Sequence, residues 1–194
     1  MIEIEDTAPK RSVPMWAQAI IWGFVVILLV IVGLGLNRAQ EGTVQPGAKI
    51  PDFTLKFFKG YAYEGKSEVK LSDLRGKAVV LNFWASWCKT CEQEAAELQQ
   101  AWETNKASGE VVFLGADYAD TPEEASIYLK KYSITFPNGE DLDPGKDNPI
   151  SQLFRIRGVP ETYFIDRKGV LQYVKIGPFE SVDEIQFHID ELIK

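Results

Sequence analysis

Only two cysteines and one histidine occur among the 194 residues, and that scarcity narrows the chemistry. A structural zinc site needs four ligands, which Cys88, Cys91 and the distant His188 cannot supply. No further cysteine exists to build the disulfide framework that staples small secreted domains. Glu92 follows Cys91 where covalent haem attachment demands a histidine. Nor is there an excess of positive charge. With a formal net charge of -7, the chain lacks the basic face that phosphate backbones require, so nucleic acid is not an expected partner. Internal repeats and low-complexity tracts are also absent.

Charge is missing altogether from Ala19 to Leu36, and only Gln18 interrupts the extension of that run back to Met15. About 20 apolar residues suffice for a helix to cross hydrocarbon. The expectation is a transmembrane anchor over residues 15–36, after an N-terminal segment 1–14 and before a polar tether 37–46. A cleaved signal peptide is the rival reading. Its apolar core usually spans about 7–15 residues and ends at a small-x-small site, whereas Leu36-Asn37-Arg38-Ala39 follows here. Lys10 and Arg11 precede the run and only Arg38 follows closely, so the positive-inside bias places the N-terminus in the cytoplasm. The remainder, residues 47–194, is then an extracytoplasmic domain. Glu3, Glu5 and Asp6 balance Lys10, Arg11 and Arg38, so the net acidity belongs to the residues after Arg38.

What the chain does have is a cysteine pair at a change of periodicity. Ala78-Val79-Val80-Leu81-Asn82-Phe83-Trp84 is a β-branched, apolar run suited to a buried central strand. From Cys88 to about Asn105 the pattern becomes helical, with Ala95, Leu98, Ala101 and Trp102 on one face. Cys88 therefore sits at a helix N-terminus, where free amides and the helix dipole favour a thiolate over a thiol. The thiolate is the attacking species in disulfide exchange. Cys91, one turn on, can reach back to displace a partner bound to Cys88. A passive structural role is disfavoured because so short a loop gains little from closure.

Elsewhere Thr121-Pro122-Glu123-Glu124 combines an N-cap, a first-turn proline and a capping box, which predicts a helix from Pro122 to about Tyr132. Ser181-Val182-Asp183-Glu184 starts a terminal helix in the same way. Tyr163–Ile165 and Val170–Ile176 flank Arg167-Lys168-Gly169, a hairpin signal. Strands alternating with helices, then a hairpin, give an α/β fold with a mixed sheet and helices on both faces.

Leu81-Asn82-Phe83-Trp84-Ala85-Ser86-Trp87-Cys88-Lys89-Thr90-Cys91 resembles the active-site stretch of thioredoxin-like redoxins of the TlpA, ResA and CcmG type. Pro51–Leu55 followed by Val69–Lys77 is similar to that family's N-terminal β-hairpin. Val111–Ala116 resembles its next strand, and Lys130–Pro137 its inserted helix and following strand. Arg157-Gly158-Val159-Pro160-Glu161-Thr162 resembles its cis-proline strand. The resemblance covers Gly47–Lys194 and implies a thioredoxin fold with an N-terminal β-hairpin extension. It makes Pro160 a cis proline beside the cysteines and Val159 a pairing site for extended substrate, with Trp87 shaping the groove.

The same resemblance puts Glu94 and Glu161 where reductive members carry acids. A negative charge there opposes the thiolate and raises its pKa, which favours a reductant over a strong oxidant. For Glu94 a solvated first-turn acid is the open alternative. Asn82 replaces the buried aspartate of cytosolic thioredoxins. Core packing is expected of Trp84, and a surface or half-buried, non-catalytic place of His188.

The implied activity is dithiol-disulfide exchange through a redox-active Cys88–Cys91 disulfide, with no other cofactor and no metal. Implied partners are protein disulfides, apocytochrome c among them, and a transmembrane thiol electron donor. Two alternatives stay open. One is a thiol peroxidase, since Pro51–Leu55 is shared with peroxiredoxin-like sequences. The other is a non-catalytic metallochaperone or client-binding module.

Overall fold

The computed structural model describes residues 14–40, 44–143 and 149–194, with side chains over 14–32 in the first of these stretches. The chain divides into two units, Met1–Gly42 and Thr43–Lys194. The first holds helix α1, Met15–Gln40, whose Met15–Val32 stretch is long and apolar enough to cross a membrane. The helix continues through Asn37-Arg38-Ala39-Gln40, residues expected in the tether. No glycine or proline stops it there, and arginine, alanine and glutamine favour helix. Residues 1–13 of the expected N-terminal segment 1–14 and tether residues 41–43 lie outside the described residues.

The second unit is built on a five-stranded sheet of order β5-β4-β3-β6-β7. Its strands are β3 (Ala78–Trp84), β4 (Val111–Asp117), β5 (Asn138–Glu140), β6 (Glu161–Ile165) and β7 (Leu171–Ile176). β3 and β4 are buried at every position, which explains their unbroken apolar reading, because a central parallel pair is covered on both faces. β3 pairs parallel with β4 and antiparallel with β6. The β6–β7 turn is held by Asp166, whose Oδ1 accepts from the amides of Lys168 and Val170, and by Gly169 at φ +77.

One face carries α2 (Lys89–Asn105), α3 (Pro122–Lys131) and α5 (Val182–Ile193), whose apolar residues join Val80, Trp84, Phe113 and Phe164 in one core. Trp84 is 3% exposed and stacks on Tyr128 with centroids 4.5 Å apart. The other face has a thinner cover. The antiparallel hairpin β1 (Thr54–Lys56) and β2 (Glu68–Lys70), a 3-10 turn at Leu71–Leu74 and the five-residue helix α4 (Ile150–Phe154) cover it. Phe53, Leu55, Val69, Leu74 and Phe154 fill that second core, so one short helix and a hairpin take the place of a full helical layer. The strand expected near Phe136 begins two residues later, at Asn138.

The N-terminal extension borders the sheet beside β5 and at the start of β7. Beside β5, Phe57 bridges Gly139 and the Phe58 amide donates to the Asn138 carbonyl. Beside β7, Gly47 and Ile50 donate to the carbonyls of Leu171 and Gly169, and Leu171 donates to Ala48. Contact at β5 is close: a Cβ on Gly139 would lie 2.0 Å from the Lys56 carbonyl oxygen.

Candidate active site

The β3 strand ends at Trp84, and four residues later Cys88 caps α2 with extended backbone. The Cys91 amide donates to Cys88 Sγ at 3.1 Å, a first-turn donor directed at the sulfur that would carry negative charge. Cys88 and Cys91 form a disulfide. Thr90 Oγ1 and the Val159 carbonyl oxygen each lie 3.4 Å from Cys88 Sγ. The Val159–Pro160 bond is cis, so the expected proline strand meets the cysteine turn. Trp87 is 58% exposed beside it.

Glu94 is the residue most changed from its solvated alternative, being 1% exposed. The 3.6-residue period turns it inward next to Ala95 and Leu98. Its Oε1 accepts from Asn82 Nδ2 at 2.9 Å and its Oε2 from the Phe179 amide at 3.1 Å. Asn82 Nδ2 also donates to Thr162 Oγ1 at 2.9 Å, tying α2 to β3 and β6. Burial pushes Glu94 up to about 7, against the opposing pull of the two donors. Asn82, Cys91 and Glu94 line one internal cavity of about 10 Å³, the lower limit for a single water.

Glu161 departs from its expected place against substrate. Strand alternation directs Thr162 toward Asn82 and sends Glu161 to the opposite face. There Oε2 accepts from Tyr163 Oη at 2.6 Å and Oε1 from the Arg157 amide at 3.1 Å. At 4% exposure it holds the turn leading into Val159–Pro160 and is closed to a substrate chain.

Sequence reasoning passed over Tyr128, Asp117 and Asp120. Tyr128 Oη donates to the Cys91 carbonyl at 2.9 Å, bracing the first turn of α2 from α3. Asp120 Oδ2 accepts from the Ser86 amide, two residues before Cys88, and Asp117 lies buried behind it. A polar residue at the end of an otherwise apolar strand was the available signal for Asp117. His188 is half-buried and stacks on Tyr173 at 3.7 Å. Among the described residues no three His, Cys, Asp or Glu side chains converge as a metal site.

Residues 46–174 match the AhpC/TSA family model. The chain belongs to the AhpC/TSA family. It is 32% identical over 165 residues to the thioredoxin-like protein YneN of Bacillus subtilis, covering 80% of this chain and 89% of that protein. It is 29% identical over 170 residues to the thiol-disulfide oxidoreductase ResA of Oceanobacillus iheyensis, covering 87% and 84%. A thiol:disulfide interchange protein of Chlorobium tepidum superposes with a TM-score of 0.62 at 25% identity, covering 77% of this chain and 98% of that one. This AhpC/TSA member is a thiol-disulfide oxidoreductase with a thioredoxin fold.

Proposed function

We propose that the chain reduces disulfides of proteins outside the cytoplasm, with Cys88 as nucleophile and Cys91 as resolving thiol. The observation that carries this reading is the Cys91 amide directed at Cys88 Sγ from the first turn of α2. It favours negative charge on Cys88, and Cys88 is also the less enclosed sulfur, at 5% exposure against 1% for Cys91. In the reduced protein the Cys88 thiolate attacks one sulfur of the substrate disulfide and expels the other as a thiolate. Cys91, deprotonated, then attacks Cys88 Sγ, releases the second substrate thiolate and restores the Cys88–Cys91 disulfide. Two electrons pass to substrate, and a thiol donor must return them. The nearness of the Val159 carbonyl, 3.4 Å from Cys88 Sγ, supports the reading that Val159 pairs with an extended substrate chain.

Anchoring by α1, with the N-terminus cytoplasmic, follows from its apolar length and the flanking charges. The donor is then a transmembrane thiol carrier and the favoured substrate an apocytochrome c disulfide, as the family resemblance implies. The test is capture. Cys91→Ser in the full chain should accumulate mixed disulfides through Cys88, identifiable by mass spectrometry, while Cys88→Ser accumulates none. Capture through Cys91 instead would reverse the assignment. Rapid peroxide consumption by the reduced chain without any protein disulfide would favour the peroxidase reading.

A further inference from the structure

Asp117 ends β4, in register with Trp84 of β3 and Glu140 of β5. Its backbone is fixed from one side by the Asp141 amide, which donates to the Asp117 carbonyl at 3.0 Å, and the next residue, Tyr118, donates to the Trp84 carbonyl at 2.7 Å. The side chain therefore has little freedom, and it is 4% exposed. Asp120, one turn of chain later, reaches back to accept from the Ser86 amide. Asp117 Oδ1 and Asp120 Oδ1 are both shut away from solvent with no hydrogen-bond partner, and after burial Asp120 is the neighbour that most raises Asp117.

Two neighbouring buried carboxylate oxygens without a donor each incur a desolvation cost as ions, plus their mutual repulsion. A single proton between them supplies the missing donor and reduces the pair's charge from two to one. We propose that Asp117 and Asp120 share one proton, and that the protonated pair positions the redox turn by holding the Ser86 amide. The surrounding charges agree. Burial pushes Asp117 up to about 9, with Asp120, Asp141 and Glu140 adding in that order. Asp141 is itself raised by burial and accepts from the Ser151 amide. When the pair releases its proton to solvent, two adjacent carboxylates remain, and Asp120, the more accessible one, is driven from Asp117 and from Ser86.

The device deepens the exchange reading by adding two positioning residues, and its test uses the oxidised full chain in detergent micelles, where the thiols do not titrate. Failure of the test therefore leaves the Cys88 assignment untouched. Carbon-detected NMR of the Asp117 and Asp120 carboxyl carbons and of the Ser86 nitrogen, followed against pH, reads the pair without needing the amide proton. The expected result is a transition near pH 9 in the Asp117 carboxyl that the Ser86 nitrogen follows. Asp117→Asn replaces the proton by a permanent amide donor and should abolish the Ser86 transition. Asp120→Asn donates to the Asp117 carboxylate and should move its midpoint downward. Independent titration of both acids in the ordinary carboxylate range, or a Ser86 transition that survives Asp117→Asn, overturns the proposal. Saturable loss of the transition on adding magnesium or calcium overturns it in favour of a cation between the two acids.

Discussion

Glu94 is held between opposing forces: burial favours the neutral acid, while Asn82 and the Phe179 amide favour the carboxylate. Burial wins, raising the group from 4.5 to about 7. Because its folded pKa lies above its unfolded value, the folded chain binds the proton more tightly. The associated stability is complete below about pH 4.5 and is lost as pH rises through about 7. That window is worth about 3 kcal/mol at most. Glu94→Gln should flatten stability over this range in urea titrations. It should also carry a pH-independent cost of about 1–3 kcal/mol, since its amide must face one of the two donors. Removing the charge beside Cys91 should lower the thiol pKa and make the disulfide a stronger oxidant. Each pKa unit corresponds to about 1.4 kcal/mol, or about 30 mV for two electrons. Thiolate absorbance and equilibration against glutathione read both effects. Unchanged values would remove Glu94 from thiol tuning. Its position three residues after Cys91 was visible in the sequence. Its burial was not, because the partners that permit it are 12 and 85 residues away.

At the level of elements, the sequence was most legible where a local signal and a burial pattern agree. Both halves of the Thr121–Glu124 capping box form, Ser181 caps α5, and β3 hands over to α2 at Cys88. The cover of the second face was harder to read. β5 has only three residues and α4 five, lengths at which periodicity carries little information. The docking of β1 against β5 depends on Gly139 lacking a side chain. Gly139→Ala should therefore force the hairpin away from β5 and cost about 1–3 kcal/mol, measured as a lower urea midpoint. An unchanged midpoint would show that the hairpin gives way freely and contributes little to the fold.

For the globular unit as a whole, the segment from Gly47 to Phe58 borders both ends of the sheet. Residues 47–194 without α1 should fold and retain thiol exchange, because both cores lie within that span. A chain beginning at Phe53 should keep the β5 cover yet lose the bonds from Gly47, Ala48 and Ile50 to the β7 side. Unpaired edge amides and carbonyls recruit other chains, so this shorter form should grow into oligomers as its concentration rises, seen by light scattering. A strictly monomeric result would mean that β7 is protected by other means. The border has a further meaning if α1 anchors the chain as proposed. Neighbouring copies confined to a membrane plane meet far more often than copies dispersed in a volume, and strand-to-strand polymerisation would remove them from service. Bordering the sheet beside β5 and at the start of β7 with the chain's own leading segment shortens the edge that is open to a neighbouring copy.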